Sequence, residues 1–302
     1  MAGPTHGKNP PSTQLDFGLV TGQHWRSWEE IRDQWQWMEA TGWDSAWTFD
    51  HFVSLYDGDA GPCFEGWTLL AGLAAVTSNV QIGVLVTSTT HRSPALLAKE
   101  AVTVDVISGG RLILGVGAGW SVRDHEAYGW ELPSPGERVD RFGESMEIYR
   151  LLETSERSTF NGTYYTLNDA PFEPKPVFGH IPILIGSSGR RMMRHVARYA
   201  DQWDCGGTPE EYRATGERLD ELCHEIGRDP SEIRWAYAAG GDPLESADAF
   251  QKHVRGYAEI GVRSFLFDFP RGKATPAMQE IAERVIPELR QEFTTARTIN
   301  RS

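Results

Sequence analysis

Apolar residues along the chain fall into short runs, and each run is followed by a segment with helical periodicity. Most runs are apolar throughout rather than alternating, which is typical of strands in a parallel sheet whose outer face is covered by helices. Eight such runs predict strands: Leu15–Val20, Asp44–Phe49, Val80–Val86, Arg111–Val116, Ile181–Ile185, Asp201–Cys205, Glu232–Ala238 and Arg263–Phe267.

Helical patterns separate these strands. The first follows Ser27, a good N-cap residue, and stops before Gly42. The predicted helices are Trp28–Thr41, Gly66–Thr77, Pro94–Ser108, Glu137–Leu152, Arg190–Tyr199, Pro209–Ile226, Ala247–Ile260 and Pro276–Arg290. Eight strand–helix units favour an α/β fold of the closed (β/α)8 type, a TIM barrel, over an open doubly wound sheet. We expect one domain over residues 14–292, a flexible leader at 1–13 and a flexible tail at 293–302.

Three connections are longer than a barrel normally needs. Asp50–Glu65 follows the second strand and Ala118–Gly136 follows the fourth, so both lie at the carboxyl ends of strands, where barrel enzymes place their sites. Ser158–Val177 precedes the fifth strand, and its Asn161-Gly162 pair predicts a small hairpin.

Composition and charge disfavour several classes of partner and site. The chain has 302 residues and a formal net charge of −13, which argues against a nucleic-acid or anionic-membrane partner. Its cysteines, Cys63, Cys205 and Cys223, lack metal-ligand spacing, and no HExxH motif or paired barrel histidines occur, so we expect no metal. No apolar run approaches the roughly 20 residues of a membrane span. A cytoplasmic location is therefore expected.

Polar residues at the second strand end are the first candidates for chemistry. Asp50 and His51 are adjacent, so their side chains point in different directions along an extended chain. Histidine titrates near neutrality and suits proton transfer. The alternative is a structural role for both residues. Asp50 would accept hydrogen bonds from loop amides, and His51 would form its hydrogen bonds within the rim of the barrel.

Small residues at two further strand ends indicate binding. Gly115, Gly117 and Gly119 remove side chains from one face and allow a ligand to approach, although a barrel corner explains them as well. The segment Gly186-Ser187-Ser188-Gly189-Arg190 leads into a helix, whose N-terminus favours an anion such as a phosphate. The alternative for this segment is an ordinary strand–helix turn.

Several short stretches, in this order, resemble the luciferase-like monooxygenase superfamily, and within it the oxidoreductases that depend on the deazaflavin coenzyme F420. The resemblance covers Leu15 to about Arg290. It is carried by Gly42–Trp47, Asp50–Phe52, Glu65–Thr68, His91–Pro94, Leu97–Lys99, Asp105–Arg111, Leu114–Trp120, Pro174–Pro176, Pro182–Gly186 and Ala197–Trp203.

The resemblance implies a place for each part of the cofactor. The tricyclic ring would lie against Leu85 and Val86, across a non-prolyl cis peptide bond. The phosphate would lie at the Gly186–Arg190 segment, and His51 beside the reactive ring, where it could move the proton that accompanies hydride transfer. One departure matters. Related sugar-phosphate dehydrogenases carry a catalytic glutamate where this chain has Ala118, Gly119 and Trp120.

The leading hypothesis is an F420-dependent oxidoreductase that transfers a hydride between C5 of the deazaflavin and a small organic substrate. His51 is the predicted catalytic residue. The predicted cofactor contacts are Asp50, Leu85, Val86, Thr87, Gly117, Ala118, Gly119, Gly186, Ser187, Ser188, Gly189 and Arg190. The predicted substrate pocket comprises His24, Trp25, Glu65, Trp67 and Trp120.

Two other hypotheses stay open. The chain could be a two-component monooxygenase that receives reduced FMN from a separate reductase, or a cofactor-binding barrel without turnover. The resemblance also implies a homodimer.

Overall fold

The computed structural model describes residues 14–55 and 61–299, with side chains as far as Thr294. The leader predicted at 1–13 lies outside these residues. In chain order the strands are β1 (Asp16–Val20), β2 (Ser45–Thr48), β3 (Gln81–Val84), β4 (Thr87–Ser88), β5 (Leu112–Gly117), β6 (Arg157–Asn161), β7 (Thr166–Pro171), β8 (Ile183–Gly186), β9 (Gln202–Asp204), β10 (Arg234–Ala239) and β11 (Ser264–Asp268).

Parallel pairing closes the sheet into the predicted barrel. The strands follow one another in the order β3, β2, β1, β11, β10, β9, β8, β5, and β3 pairs back onto β5 through Ile82 and Leu112. The two-residue strand β4 resumes the path of β3 and also pairs with β5. The predicted hairpin is β6 and β7, which pair antiparallel before β8. The TIM-barrel prediction is therefore confirmed.

Helices surround the strands, and most of them cover the outside of the barrel. They are α1 (Trp28–Thr41), α2 (Gly66–Val76), α3 (Pro94–Ser108), α4 (Val122–Tyr128), α5 (Pro135–Thr154), α6 (Met192–Tyr199), α7 (Pro209–Glu225), α8 (Ala247–Ala258), α9 (Pro276–Glu280) and α10 (Ile286–Ile299), with a π-helical turn at Ile281–Val285 between the last two.

Two of these helices differ from the sequence prediction. Helix α10 runs to Ile299, into the segment predicted as a tail, because neither Gly nor Pro follows Pro287 to interrupt it. Helix α4 lies inside the insertion after β5 and was not predicted. It is short and lacks an apolar stripe, but Ser121 caps its start and Gly129, with φ of 70°, ends it.

The core has two parts. A large apolar cluster fills the space between the strands and the helices, and a smaller one fills the barrel. Trp47 is central to the second cluster, and Gly83 makes room for it, because a Cβ at Gly83 would lie 2.4 Å from the Trp47 ring. The interior is thus packed below the strand ends, which leaves the carboxyl-end face for a ligand site.

Candidate active site

A cavity of about 370 Å³ opens at the carboxyl ends of β2, β4, β5 and β8. This first cavity has the size of a cofactor or small-molecule pocket. It is lined by Phe49, Asp50, His51, Leu55, Leu85, Val86, Thr87, Ser88, His91, Gly117, Ala118, Gly119, Trp120, Ser121, Gly186, Ser187 and Met192. The sequence-predicted strand ends therefore converge on one site.

His51 is paired with a carboxylate that the sequence reasoning missed. Its Nδ1 lies 2.6 Å from Oδ2 of Asp124, and Oδ1 of Asp124 accepts from the backbone N–H groups of Phe52 and Val53 at 2.9 and 3.0 Å. Burial raises the pKa of Asp124, but the hydrogen bonds from His51, from Ser121 and from these two amides outweigh it and hold the pKa below its usual range.

The ionised Asp124 carboxylate can only accept hydrogen bonds, so it fixes the proton of the neutral imidazole on Nδ1. Nε2 of His51 is then the lone-pair nitrogen that can take up a proton. The Trp120 ring lies beside this imidazole, with ring centroids 5.5 Å apart in a T-shaped arrangement. His51 and Trp120 both line the first cavity, as predicted.

Asp50 lines the same cavity but has a different role from His51. Its carboxylate accepts from both Nη groups of Arg92 and from the backbone N–H of Ser88 at 2.8 Å, with His91 Nδ1 at 3.3 Å. Burial raises the pKa of Asp50, whereas the hydrogen bonds from His91 and Arg92 and the Arg92 charge bring it down to about 2. The Asp50 carboxylate therefore orders the wall rather than presenting free oxygens to a ligand.

A second wall of the first cavity is formed by Leu85, Val86 and Thr87, together with the glycines at the end of β5. The Leu85–Val86 peptide bond is cis, at the position that the resemblance implied. Val86 packs against Gly117, where a Cβ would lie 2.9 Å from its Cγ2. Trp67 Nε1 donates to Thr87 Oγ1 at 3.1 Å and so fixes the Thr87 side chain. Together these residues leave a smooth surface against which a flat ring could pack.

Gly119 forms the neighbouring rim. Its φ is +83°, and a Cβ there would lie 2.5 Å from Ser88 Oγ and 2.6 Å from Thr90 Oγ1. A side chain at this position would therefore meet both a strained backbone and two hydroxyl groups. Ser88 Oγ and Thr90 Oγ1 are 2.7 Å apart, and Thr90 also contacts His125 Nε2 at 2.9 Å.

The segment predicted to bind the phosphate lies partly inside the first cavity and partly outside it. Gly186 and Ser187 line the cavity, whereas Ser188, Gly189 and Arg190 are exposed beyond it. Helix α6 begins at Met192 rather than at the predicted Arg190. The Gly189 N–H donates to Ser187 Oγ at 3.2 Å and closes a turn, so helix α6 begins only after this turn.

Four of the five residues predicted for the substrate pocket do not line the first cavity, and three of these four do not line the smaller cavity beside it either. Glu65 caps α2 by accepting from the Trp67 and Thr68 amides, and Trp67 is buried in the core behind Thr87. Trp25 lies over Gly61, whose Cβ would lie 2.0 Å from the indole. The sequence places these residues at the correct face, but cap formation and core packing turn their side chains elsewhere.

His24 lines a second cavity of about 210 Å³, beside the first one, at the ends of β1 and β11. Phe49 lines both cavities. The His24 ring lies 5.8 Å from Phe49 and 6.3 Å from His51, measured between ring centroids. Burial, together with the charges of His51 and Arg26, lowers the pKa of His24 to about 4, so this imidazole is neutral at pH 7.

Asp124, His91 and Arg92 are among the site residues that sequence reasoning did not assign. Ser121 and Asp124 form the S-x-x-D pattern of a helix start, and this signal could have located α4. The pairing of Asp124 with His51 could not have been predicted from this pattern, because the two residues are 73 positions apart.

Among residues 14–55 and 61–299, no group of His, Cys, Asp or Glu is arranged to hold a metal ion. No helix in the described part of the chain is long and apolar enough to cross a membrane.

Sequence comparison finds relatives with two kinds of cofactor chemistry. An F420-dependent glucose-6-phosphate dehydrogenase of Amycolatopsis mediterranei is 35% identical over 169 residues, which is 55% of this chain and 50% of the relative. The pyrimidine monooxygenase RutA of Escherichia coli K12 is 32% identical over 212 residues, 67% of this chain and 54% of the relative. The matched region thus spans about half the length of each relative.

Structural comparison confirms the fold over almost the whole chain. An F420-dependent secondary alcohol dehydrogenase, solved with an F420-acetone adduct, superposes with a TM-score of 0.79 at 21% identity and covers 91% of this chain and 98% of that structure. The family model described as luciferase-like monooxygenase matches residues 8–296. This match and the barrel agree, and the chain belongs to the luciferase-like monooxygenase family.

Proposed function

We propose that the protein is an F420-dependent oxidoreductase that transfers a hydride between the deazaflavin and a small organic alcohol or carbonyl compound. The observation that carries the proposal is the His51–Asp124 pair at the edge of the first cavity. Such a pair is suited to moving one proton, which is what alcohol oxidation or carbonyl reduction requires alongside a hydride.

The size and the lining of the first cavity support the proposal of a tricyclic cofactor. Its volume of about 370 Å³ lies within the range of small-molecule pockets, and Gly117, Gly119 and Gly186 keep its walls free of side chains. Leu85, Val86 and Thr87 would hold the ring, and Gly186 and Ser187 would hold the phosphate. Ser188, Gly189 and Arg190 lie farther out and would contact the exposed end of the cofactor. When bound, the deazaflavin supplies the two-electron donor or acceptor.

The chain itself supplies the proton chemistry. In the oxidation direction, a substrate hydroxyl gives its proton to Nε2 of His51 as the carbon loses hydride and the carbonyl forms. Asp124 keeps the other ring proton on Nδ1 and offsets the positive charge that develops on the imidazole. Ala118, Gly119 and Trp120 stand where the sugar-phosphate dehydrogenases carry their glutamate, so His51 would act without that carboxylic acid. In the reduction direction the same proton returns to the oxygen.

Two similarities support F420 over FMN, and one supports the reverse. The Asp50-His51-Phe52 stretch and the Amycolatopsis relative favour the deazaflavin. RutA, a monooxygenase by name, matches a larger share of this chain and supports the FMN alternative, in which a separate reductase would supply the reduced cofactor. A homodimer and a cytoplasmic location remain predictions.

Titration of the purified protein with F420 and, separately, with FMN tests the proposal through tryptophan fluorescence, because Trp120 lines the cavity. We expect saturable quenching by F420 at micromolar concentration and weaker binding of FMN. Binding of FMN with none of F420 would overturn the deazaflavin assignment. Binding of either cofactor without reduction or reoxidation across an alcohol and ketone panel would favour a non-catalytic barrel.

A further inference from the structure

A chain of hydrogen bonds leads from the wall of the first cavity to α4. Ser88 lines this cavity, and its Oγ lies 2.7 Å from Thr90 Oγ1. Thr90 Oγ1 lies 2.9 Å from Nε2 of His125, whose Nδ1 lies 2.7 Å from the backbone carbonyl oxygen of Ser121. Neither Thr90 nor His125 lines the first cavity, so the chain joins a wall residue to groups behind the wall.

The Ser121 carbonyl fixes the direction of each hydrogen bond in this chain. A carbonyl oxygen can only accept, so Nδ1 of His125 carries a proton. In the neutral imidazole, Nε2 then has a lone pair and accepts from the Thr90 hydroxyl, which in turn accepts from the Ser88 hydroxyl. His125 is 1% exposed and both of its partners are neutral, which suits an uncharged ring. The hydroxyl hydrogen of Ser88 is therefore committed to Thr90.

Ser88 can consequently offer the first cavity only a lone pair. A hydroxyl oxygen has two lone pairs, and the backbone N–H of Thr90 uses one of them at 3.4 Å. Within residues 14–55 and 61–294, no further group bonds Ser88 Oγ, which leaves the second lone pair for a ligand. Gly119, which also lines the cavity, leaves space beside this oxygen, because a Cβ there would lie 2.5 Å from it. This part of the wall therefore accepts a hydrogen bond and does not donate one.

We propose that His125 sets the hydrogen-bond polarity of this wall through Thr90, and that Ser88 accepts a hydrogen bond from the imide N–H of the cofactor ring. The inference rests on the proposed function, because it takes the first cavity to hold that ring. The oxidised rings of F420 and FMN share one N–H donor, the imide between two carbonyl groups, so the same contact is available to both cofactors. His125 is thus a positioning residue that acts on the ring through two hydroxyl groups.

Cofactors methylated at the imide nitrogen test this contact, because they lack the donor. Fluorescence titration gives the dissociation constants of F420, of FMN and of the imide-methylated derivative of each. We expect methylation to weaken binding to the wild type by about tenfold, the size expected when a buried acceptor loses its donor. Ser88→Ala should remove most of this difference between the parent and the methylated ring.

Thr90→Val separates polarity from space, because valine has nearly the same shape and leaves Ser88 in place. Without Thr90 Oγ1, the Ser88 hydroxyl can turn and donate to a ring carbonyl, so we expect the methylation effect to fall to about threefold or less. His125→Leu should act in the same way, although both hydroxyl groups remain. Thr103→Val is the matched control, because Thr103 is exposed on α3, donates to the Lys99 carbonyl oxygen and lines neither cavity. The control should keep the wild-type effect, and circular dichroism checks that all variants fold.

The imide proton of the bound ring gives a second readout, observed by NMR with 15N-labelled cofactor. In the wild type we expect an imide signal that exchanges slowly with solvent, because the proton is held by Ser88. Exchange should be faster in Thr90→Val and in His125→Leu. A substitution that merely lowers the stability of the fold would leave this proton protected in the bound complex.

Equal binding of the parent and methylated rings by the wild type would overturn the inference, and so would a methylation effect that is unchanged in Thr90→Val and His125→Leu. With F420 bound in either case, the proposed function would stand. A methylation effect that requires Thr90 and occurs with FMN, in a protein that does not bind F420, would remove the deazaflavin assignment and keep the inference. Binding of neither ring would overturn both.

Discussion

Arg92 donates to both carboxylate oxygens of Asp50, with Nη1 2.8 Å from Oδ2 and Nη2 2.9 Å from Oδ1. Both side chains are almost fully buried. The pair ties the end of β2 to the segment that follows β4, and these are the two elements that carry His51 and Ser88 to the cavity. An internal ion pair thus sets the spacing between two walls of the site.

Arg92→Met should destabilise the protein strongly, because it leaves the buried Asp50 carboxylate without its main partner. Removing one member of a buried pair costs about 3–5 kcal/mol. Chemical denaturation followed by circular dichroism measures the change. Arg284→Met is the control: Arg284 pairs with Glu280 and Glu288 on the exposed surface, and its loss should destabilise the protein far less. Similar losses for the two variants would contradict a structural role for Arg92.

Asp124→Asn should slow turnover while leaving cofactor affinity nearly unchanged. An amide can donate to Nδ1 of His51 and so favours the tautomer with the proton on Nε2, which cannot accept one from a substrate. We expect kcat to fall by about 10²–10⁴-fold, the range for general acid–base catalysis.

The same measurements on His51→Gln and on the double variant decide whether the two residues act together. Residues that work as one unit give losses that do not add. A double variant whose loss in kcat equals the product of the single losses would show that Asp124 does not act through His51.

Ser187→Glu should weaken cofactor binding by at least about tenfold, whereas Ser188→Glu should change it much less. Ser187 lines the cavity and Ser188 is exposed beyond it, so only the first substitution brings a carboxylate into the predicted phosphate position. Fluorescence titration with F420 gives both dissociation constants. Equal weakening in the two variants would move the phosphate outward along the segment, and no weakening in either would place it elsewhere.

His180 should make stability depend on pH. It bridges two carboxylates, with Nδ1 2.8 Å from Glu153 and Nε2 2.8 Å from Asp201. Burial lowers the pKa of His180, but the hydrogen bonds and charges of Asp201 and Glu153 give a net rise. Because the pKa is higher in the folded state, the stabilisation is complete below the unfolded value of about 6.5 and is lost as pH rises through the folded pKa.

The unfolding free energies of the wild type and of His180→Gln, measured from pH 5.5 to 9, isolate this contribution. We expect the difference between them to be largest at the acidic end and to shrink as the pH rises. A difference that stays constant across this range would show that the His180 charge contributes nothing to stability.

Sequence patterns predicted the barrel well because each strand and helix carries its own signal. The bounds of α1 agree with the predicted Trp28–Thr41, where a capping box and a C-terminal glycine mark both ends. The strand ends that form the first cavity were also predicted, since parallel strands bring their carboxyl ends to one face. His51, Gly117, Gly119 and Ser187 all lie there.

Side-chain direction within the loops was not predictable from those patterns. Glu65 and Trp67 follow a loop whose course decides whether they meet the cavity or the core, and hydrogen bonds to α2 amides and to Thr87 decide it. Asp124 depends on a contact between two insertions that are distant in sequence. Its position follows from how the loops pack on each other, which no local periodicity records.

The insertion after β5 supplies the partner of His51 from α4 and also the indole of Trp120 that lies beside the imidazole. The carboxylate partner and the ring neighbour of His51 therefore lie on one connection, while His51 itself lies on another, the connection that follows β2. An exchange of the loop after β5 between relatives would replace two groups in a single step: the Asp124 carboxylate that sets the tautomer of His51, and the Trp120 ring that lines the cavity. Recombination at this connection could therefore change the reaction without any change in the barrel strands.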